Sequence, residues 1–197
     1  MPASARLAAA IVKIDAANAA DPNREIVDGR AVSKELLYSE RMTKWLMSLA
    51  PDASEELQIA VRGQHLCRWT IPRNSYPMDR ASYLKWRNDC KQMHAEKLGQ
   101  ILCEIGYDSA VTERVKSLVR KERLKADAET QLLEDTACLV FLESYFADFS
   151  QEHDEAKLID IVRKTWKKMS QRGHEAALQI ALSPGSQAIV EKAIAGL

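Results

Sequence analysis

The sequence predicts an all-α fold, a single helical bundle, and three observations predict it. Apolar residues recur at helical spacing nearly from end to end. Seven glycines and six prolines are few for 197 residues. No segment alternates apolar with polar residues as a half-buried strand would, so no sheet is expected.

The first helix is expected over Ala3–Ala19, with Leu7, Ala10, Ile11 and Ile14 on one face. Asp21-Pro22-Asn23 stops it, and Asp28-Gly29 marks a turn. A second helix starts after Ser33 as cap and runs to about Leu49 on a stripe of Tyr38, Met42, Trp45 and Leu49. A third is expected from Ser54, whose hydroxyl can cap free amides while Glu55 and Glu56 suit the positive end of the dipole. It is drawn to about Trp69. Pro72 and Pro77 make residues 70–79 a loop.

Helix resumes near Asp79 and continues, with at most one break, to Ile105, where Gly106 is a stop. Short helices follow from Ser109 to about Lys125. A strongly apolar helix covers about Ala128 to Phe149, another Glu155 to Gln171, and a last pair flanks Ser183-Pro184-Gly185. The whole of 1–197 reads as one domain.

Composition narrows the function classes. Lysine plus arginine number 28 and aspartate plus glutamate 28, so no whole-chain basic field draws nucleic acid. The longest apolar run, near Ala137 to Leu142, is far too short to span a bilayer. Cys67, Cys90, Cys103 and Cys138 include no CxxC pair, which argues against a zinc knuckle and for reduced thiols in a cytoplasmic protein. The N-terminus reads as the first helix, since Asp15 interrupts any signal-like pattern. GxGxxG, P-loop, GxSxG and HExxH motifs are absent. His153-Asp154 is the sole His-Asp dipeptide, and Asp154 reads as the cap of the following helix.

Ionisable residues on apolar stripes are the informative signal. His94 shares a face with Leu98, Ile101 and Ile105. Asp135 aligns with Leu132, Leu139 and Leu142, and Glu134 with Cys138, Phe141 and Tyr145. His65 closes a helix whose apolar line passes through Leu57 and Val61. A buried aspartate needs a partner, because an unpaired buried charge is costly. Two histidines and a carboxylate from three helices would suit a divalent metal. The competing reading is structural: hydrogen-bonded core histidines, and an Asp135 paired with an arginine such as Arg41 or Arg68.

A second cluster is basic and aromatic. Arg68 and Arg73 flank the proline loop, Arg80, Lys85 and Arg87 follow it, and Tyr76, Tyr83 and Trp86 interleave. Later, Arg163, Lys164, Lys167, Lys168, Arg172 and His174 fall in one short stretch. Either group could surround an anionic substrate or grip RNA by its phosphates. Either could equally be a solvated face balanced by nearby glutamates.

The segments IDAANAADPN, ELLYSERMTKWL, HLCRWTIPRNSYPMDRASYLKWR, HAEK, LLEDTACLVFLESYFADF and RKTWKKMSQRGHEAAL resemble an uncharacterised all-helical family. Some of its members carry a glutamyl-tRNA synthetase name, although this chain has no synthetase motif. More distantly, the helical order resembles the HD-domain metal-dependent phosphohydrolases. There a histidine, a His-Asp pair and a final aspartate come from successive helices. Asp135 matches the final aspartate. His65 stands either for the pair's histidine, with Leu66 in the aspartate's place, or for the first histidine, with His94-Ala95 replacing the pair. Glu134, Glu96 or Glu35 would supply the missing oxygen ligand.

That resemblance implies a phosphohydrolase holding Mn, Fe, Mg or Zn on His65, His94 and Asp135, with Glu134 and Glu96 as catalytic carboxylates. Arg68, Arg73, Arg87, Lys97, Lys168 and Arg172 would neutralise a small phosphorylated or nucleotide substrate. The alternatives are a non-haem iron oxygenase of the same type and a metal-free module for RNA or protein. The proline loop, Arg68 to Arg87, is expected to rim the pocket.

Overall fold

In a computed structural model, residues 3–195 are described. They form ten α-helices and one two-stranded hairpin, so the fold is all-α. The chain divides into two compact units, Met1–Arg123 and Leu124–Leu197. No helix among the described residues is long and apolar enough to cross a membrane.

The first unit contains α1 (Ala3–Ala19), β1 (Arg24–Val27), β2 (Arg30–Ser33), α2 (Lys34–Leu49), α3 (Glu55–Arg62), α4 (Arg80–Ile105) and α5 (Ser109–Arg120). Helices α1, α2 and α3 pack on one another, α5 packs on α3 and α4, and α4 on α1. Ile14, Met42, Leu46, Leu57, Leu98 and Leu118 are all fully buried. Each such side chain contributes ~1.5–3 kcal/mol through removal from water. Arg62 ties α3 to α1 through two hydrogen bonds to Asp15, at 2.6 and 2.7 Å.

The hairpin corrects the expectation of no sheet. Val27 pairs with Arg30 across Asp28-Gly29, whose φ angles are +49° and +75°. Two successive positive φ values make the tight turn that fits strand twist, and Asp-Gly is a favoured pair for it. Asp21, fully buried, fixes the ends of this excursion. Its carboxylate accepts from Asn23 N at 2.9 Å and from Glu35 N at 3.1 Å. Asp21 therefore supplies a cap to α2. Ser33 stands at the N-cap position, but its hydroxyl donates to Ala19 O at 2.8 Å instead.

Helix α3 starts as expected, with Ser54 Oγ accepting from Leu57 N. It ends at Arg62 rather than near Trp69. A Cβ on Gly63 would lie 2.5 Å from Leu98 Cδ2, so α4 passes too close for any larger residue. Successive turns follow, with Cys67 in the left-handed region at φ +56° and its amide held by the buried Asn18 at 3.1 Å. The proline loop carries two short 3-10 turns, Arg68–Thr70 and Arg73–Ser75. It is tied to α4 by Trp86 Nε1 donating to Ile71 O and Tyr76 Oη to Asp89, each at 2.8 Å. Helix α4 runs without a break from its Asp79 cap to Gly106, whose φ of +88° closes it.

The second unit contains α6 (Ala128–Val140), α7 (Phe146–Gln151), α8 (Glu155–Trp166), α9 (Gln171–Ala177) and α10 (Pro184–Ile194). The single helix expected from Ala128 to Phe149 is divided by a π-turn at Phe141–Tyr145. Asp154 caps α8 as expected, and Ser183 caps α10. Helix α8 ends at Trp166, short of Gln171.

Candidate functional site

The first unit brings four of the sequence-derived candidates together. His65 lies in the turns after α3, His94 lies mid-way along α4, Arg68 opens the proline loop and Arg87 sits two turns into α4. With Gln64, Cys90, Lys91, Val119 and Lys121 they line one small cleft of about 30 Å³. Arg68 and Arg87 thus bring the two ends of the loop segment to this lining.

His65 is held on three sides. Tyr38 of α2 stacks on it at 3.9 Å between centroids and 11° between planes. Its Nδ1 lies 3.3 Å from Glu35 Oε2, and Arg68 Nη1 lies 2.7 Å from its Nε2. A guanidinium can only donate, so Nε2 must present a lone pair and the ring proton sits on Nδ1, facing Glu35. The same guanidinium stacks over Trp86, 4.7 Å from its centroid. His94 is 2 % exposed, and its Nδ1 donates to Leu66 O at 2.8 Å. Its Nε2 therefore carries a lone pair, and that atom has no hydrogen-bond partner among the described residues. The two imidazoles are 5.9 Å apart between centroids.

Burial sets the protonation states. It holds His65 well below its ordinary pKa, and the Arg68 guanidinium adds to the effect. It brings His94 down to about 3, helped by His65. It pushes Glu35 up to about 7, against the attraction of Arg68. At neutral pH the cleft is lined by two neutral imidazoles and by Arg68, Arg87, Lys91 and Lys121, with the Glu35 carboxyl, near its titration point, against His65 Nδ1.

The remaining candidates lie elsewhere. Arg73 does not line the cleft: its guanidinium donates to Tyr76 O at 3.0 Å and Pro77 O at 2.8 Å and so braces the loop. Glu96 is exposed on α4, and Lys97 beside it is half-buried and away from the lining. Glu134, Asp135, Lys168 and Arg172 belong to the second unit. Within it, Glu134 lies 3.8 Å from Lys168, and Arg172 is exposed. Asp135, 1 % exposed, takes neither of the expected arginines. It accepts from Ser170 N at 2.8 Å, from Gln131 Nε2 at 3.0 Å and from the Ser170 hydroxyl. Arg41 pairs with Glu25 at 2.6 Å.

The expected metal ligands do not fit a metal as they stand. His65 Nε2 is met by a guanidinium, its Nδ1 bears the proton, and Asp135 already accepts three hydrogen bonds from Ser170 and Gln131. Among the described residues no group of three or more His, Cys, Asp or Glu side chains is placed to hold a metal ion.

Sequence reasoning gave no role in the site to Tyr38, Gln64, Cys90, Lys91 or Lys121, and treated Glu35 only as a spare oxygen ligand. Glu35 had a signal: it shares a helical face with the buried Met42 and Leu46. Lys121 had none, since its position is set by the left-handed cap ending α5.

No curated protein and no solved structure matches the chain. The family model of a domain of unknown function, DUF4202, matches residues 8–190, and the chain belongs to that family.

Proposed function

We propose that the first unit binds a small phosphorylated anion in this cleft, with arginine and lysine groups as the countercharge. One observation carries the reading. Arg68 is pre-positioned by Trp86 and His65 at the edge of a cleft that Arg87, Lys91 and Lys121 also line. Arginine forks match phosphate oxygens in pairs, and a guanidinium already held in place loses little freedom on binding.

The test is thermal unfolding with inorganic phosphate against chloride at equal ionic strength. A ligand that binds only the folded state raises Tm by mass action. Phosphate should raise Tm in a saturable way, and Arg68→Ala and Arg87→Ala should each abolish most of that rise. Equal responses of parent and both variants would place the anion elsewhere.

A further inference from the structure

The cleft contains more than cations. His94 Nε2 is a buried acceptor with no partner among the described residues, and so is Gln64 Oε1 on the same lining. His94 is 2 % exposed and Gln64 8 %. The tautomer of His94 is fixed from behind, because Nδ1 must donate to Leu66 O. Its Nε2 therefore cannot turn into a donor for a phosphate oxygen without taking up a proton. A fully ionised phosphate offers only acceptors. It would satisfy Arg68 and Arg87 and leave both of these atoms without a donor.

We infer that the ligand of this cleft is a phosphate ester carrying a hydroxyl close to its phosphate, the hydroxyl donating to His94 Nε2. The inference rests on the anion-binding reading above and adds the chemical class of the ligand. The phosphate seat and the acceptor share one lining: Arg68 contacts His65, and the His65 and His94 rings lie 5.9 Å apart. A donor reaching a buried acceptor is also a strong selector, since an analogue without the hydroxyl leaves the acceptor unpaired.

The experiment compares glycerol 3-phosphate with n-propyl phosphate, which has equal charge and chain length but no hydroxyl. Binding is read by titration calorimetry on the full chain. The parent should bind glycerol 3-phosphate at least tenfold more tightly. His94→Asn keeps a donor towards Leu66 O but removes the Nε2 acceptor. It should erase the preference while leaving n-propyl phosphate affinity within about twofold. Gln64→Leu, which leaves His94 in place, should narrow the preference and serves as the second variant if His94→Asn does not fold. If the parent binds both esters equally, the hydroxyl inference is overturned and the anion site stands. If neither ester binds, the anion site itself falls, and this inference with it. If the preference persists in a folded His94→Asn protein, or in Gln64→Leu where His94→Asn does not fold, these acceptors are not what selects the ligand.

Discussion

Arg68 Nη1 lies 2.7 Å from His65 Nε2, so a cation occupies the imidazole nitrogen that a metal or a substrate proton would otherwise claim. The contact also depresses the pKa of His65, second only to burial. Replacing Arg68 with methionine should therefore raise the His65 pKa towards its ordinary value. A histidine-resolved NMR titration measures this, and an unchanged value would mean that the Arg68 contact does not control the ring. Saturating phosphate should act in the same direction in the parent, because a phosphate on Arg68 competes with His65 for the guanidinium.

Asp135 is a helix-to-helix clamp in the second unit. Its carboxylate accepts both groups of Ser170, and a Cβ on Gly173 would lie 2.9 Å from its Cγ. Asp135→Ala should cost about 1–3 kcal/mol by leaving Ser170 and Gln131 donors unsatisfied. Gly173→Ala should cost a comparable amount through overpacking. Denaturant unfolding measures both. The losses should be the same with and without EDTA; a loss that disappears under EDTA would return Asp135 to the role of metal ligand.

Gly63 is required by proximity to α4. A Cβ there would meet Leu98 Cδ2 at 2.5 Å and Cδ1 at 2.7 Å, and Leu98 is fully buried. Gly63→Ala should destabilise by about 1–3 kcal/mol, since the packed leucine has to leave its rotamer or shift α4. The adjoining cleft should widen or tilt with it, so phosphate binding should weaken too. An alanine variant as stable as the parent would show that Leu98 can yield freely.

Helices whose ends are written locally were legible in the sequence. Ser54 and Asp154 cap where their side chains and the following residues indicate, and Gly106 stops α4. Ends set by tertiary contact were not. The apolar line Leu57–Val61 invites a longer α3, but α4 terminates it at Gly63. The π-turn at Phe141–Tyr145 interrupts an apolar helix that contains no breaker residue. The site follows the same rule. His65 and Arg68 are three residues apart, but they meet across the turns after α3, with Cys67 left-handed between them, and not on the continuing helix that the spacing suggests. The burial of Asp135 was readable from its stripe, whereas its partner Ser170 lies in a distant segment. Lys121 reaches the cleft only because α5 packs on α4.

The opposed titrations of Glu35 and His94 predict an unusual pH profile. Glu35 rises from 4.5 to about 7 on folding because burial penalises its charge, with Asp21 acting in the same sense and Arg68, His94 and Lys34 against it. The folded chain then binds a proton that the unfolded chain has released, so this group's stability contribution is full below pH 4.5 and is lost as pH rises to about 7. At about 1.4 kcal/mol per tenfold change in proton affinity, the loss is about 3 kcal/mol. His94 falls from 6.5 to about 3. There the unfolded chain binds the extra proton, so stability is full above pH 6.5 and drains away as pH falls to about 3; His65 acts in the same sense. Between pH 4.5 and 6.5 the Glu35 and His94 slopes oppose one another. Glu35→Gln keeps an acceptor for His65 Nδ1 and removes one slope. Chemical unfolding from pH 4 to 8 should show the variant gaining about 3 kcal/mol on the parent across that range. His94→Asn should do the reverse, flattening the acid limb below pH 6.5. Parallel curves for Glu35→Gln and the parent would mean that the buried carboxyl does not titrate with folding, and that Glu35 remains ionised beside His65.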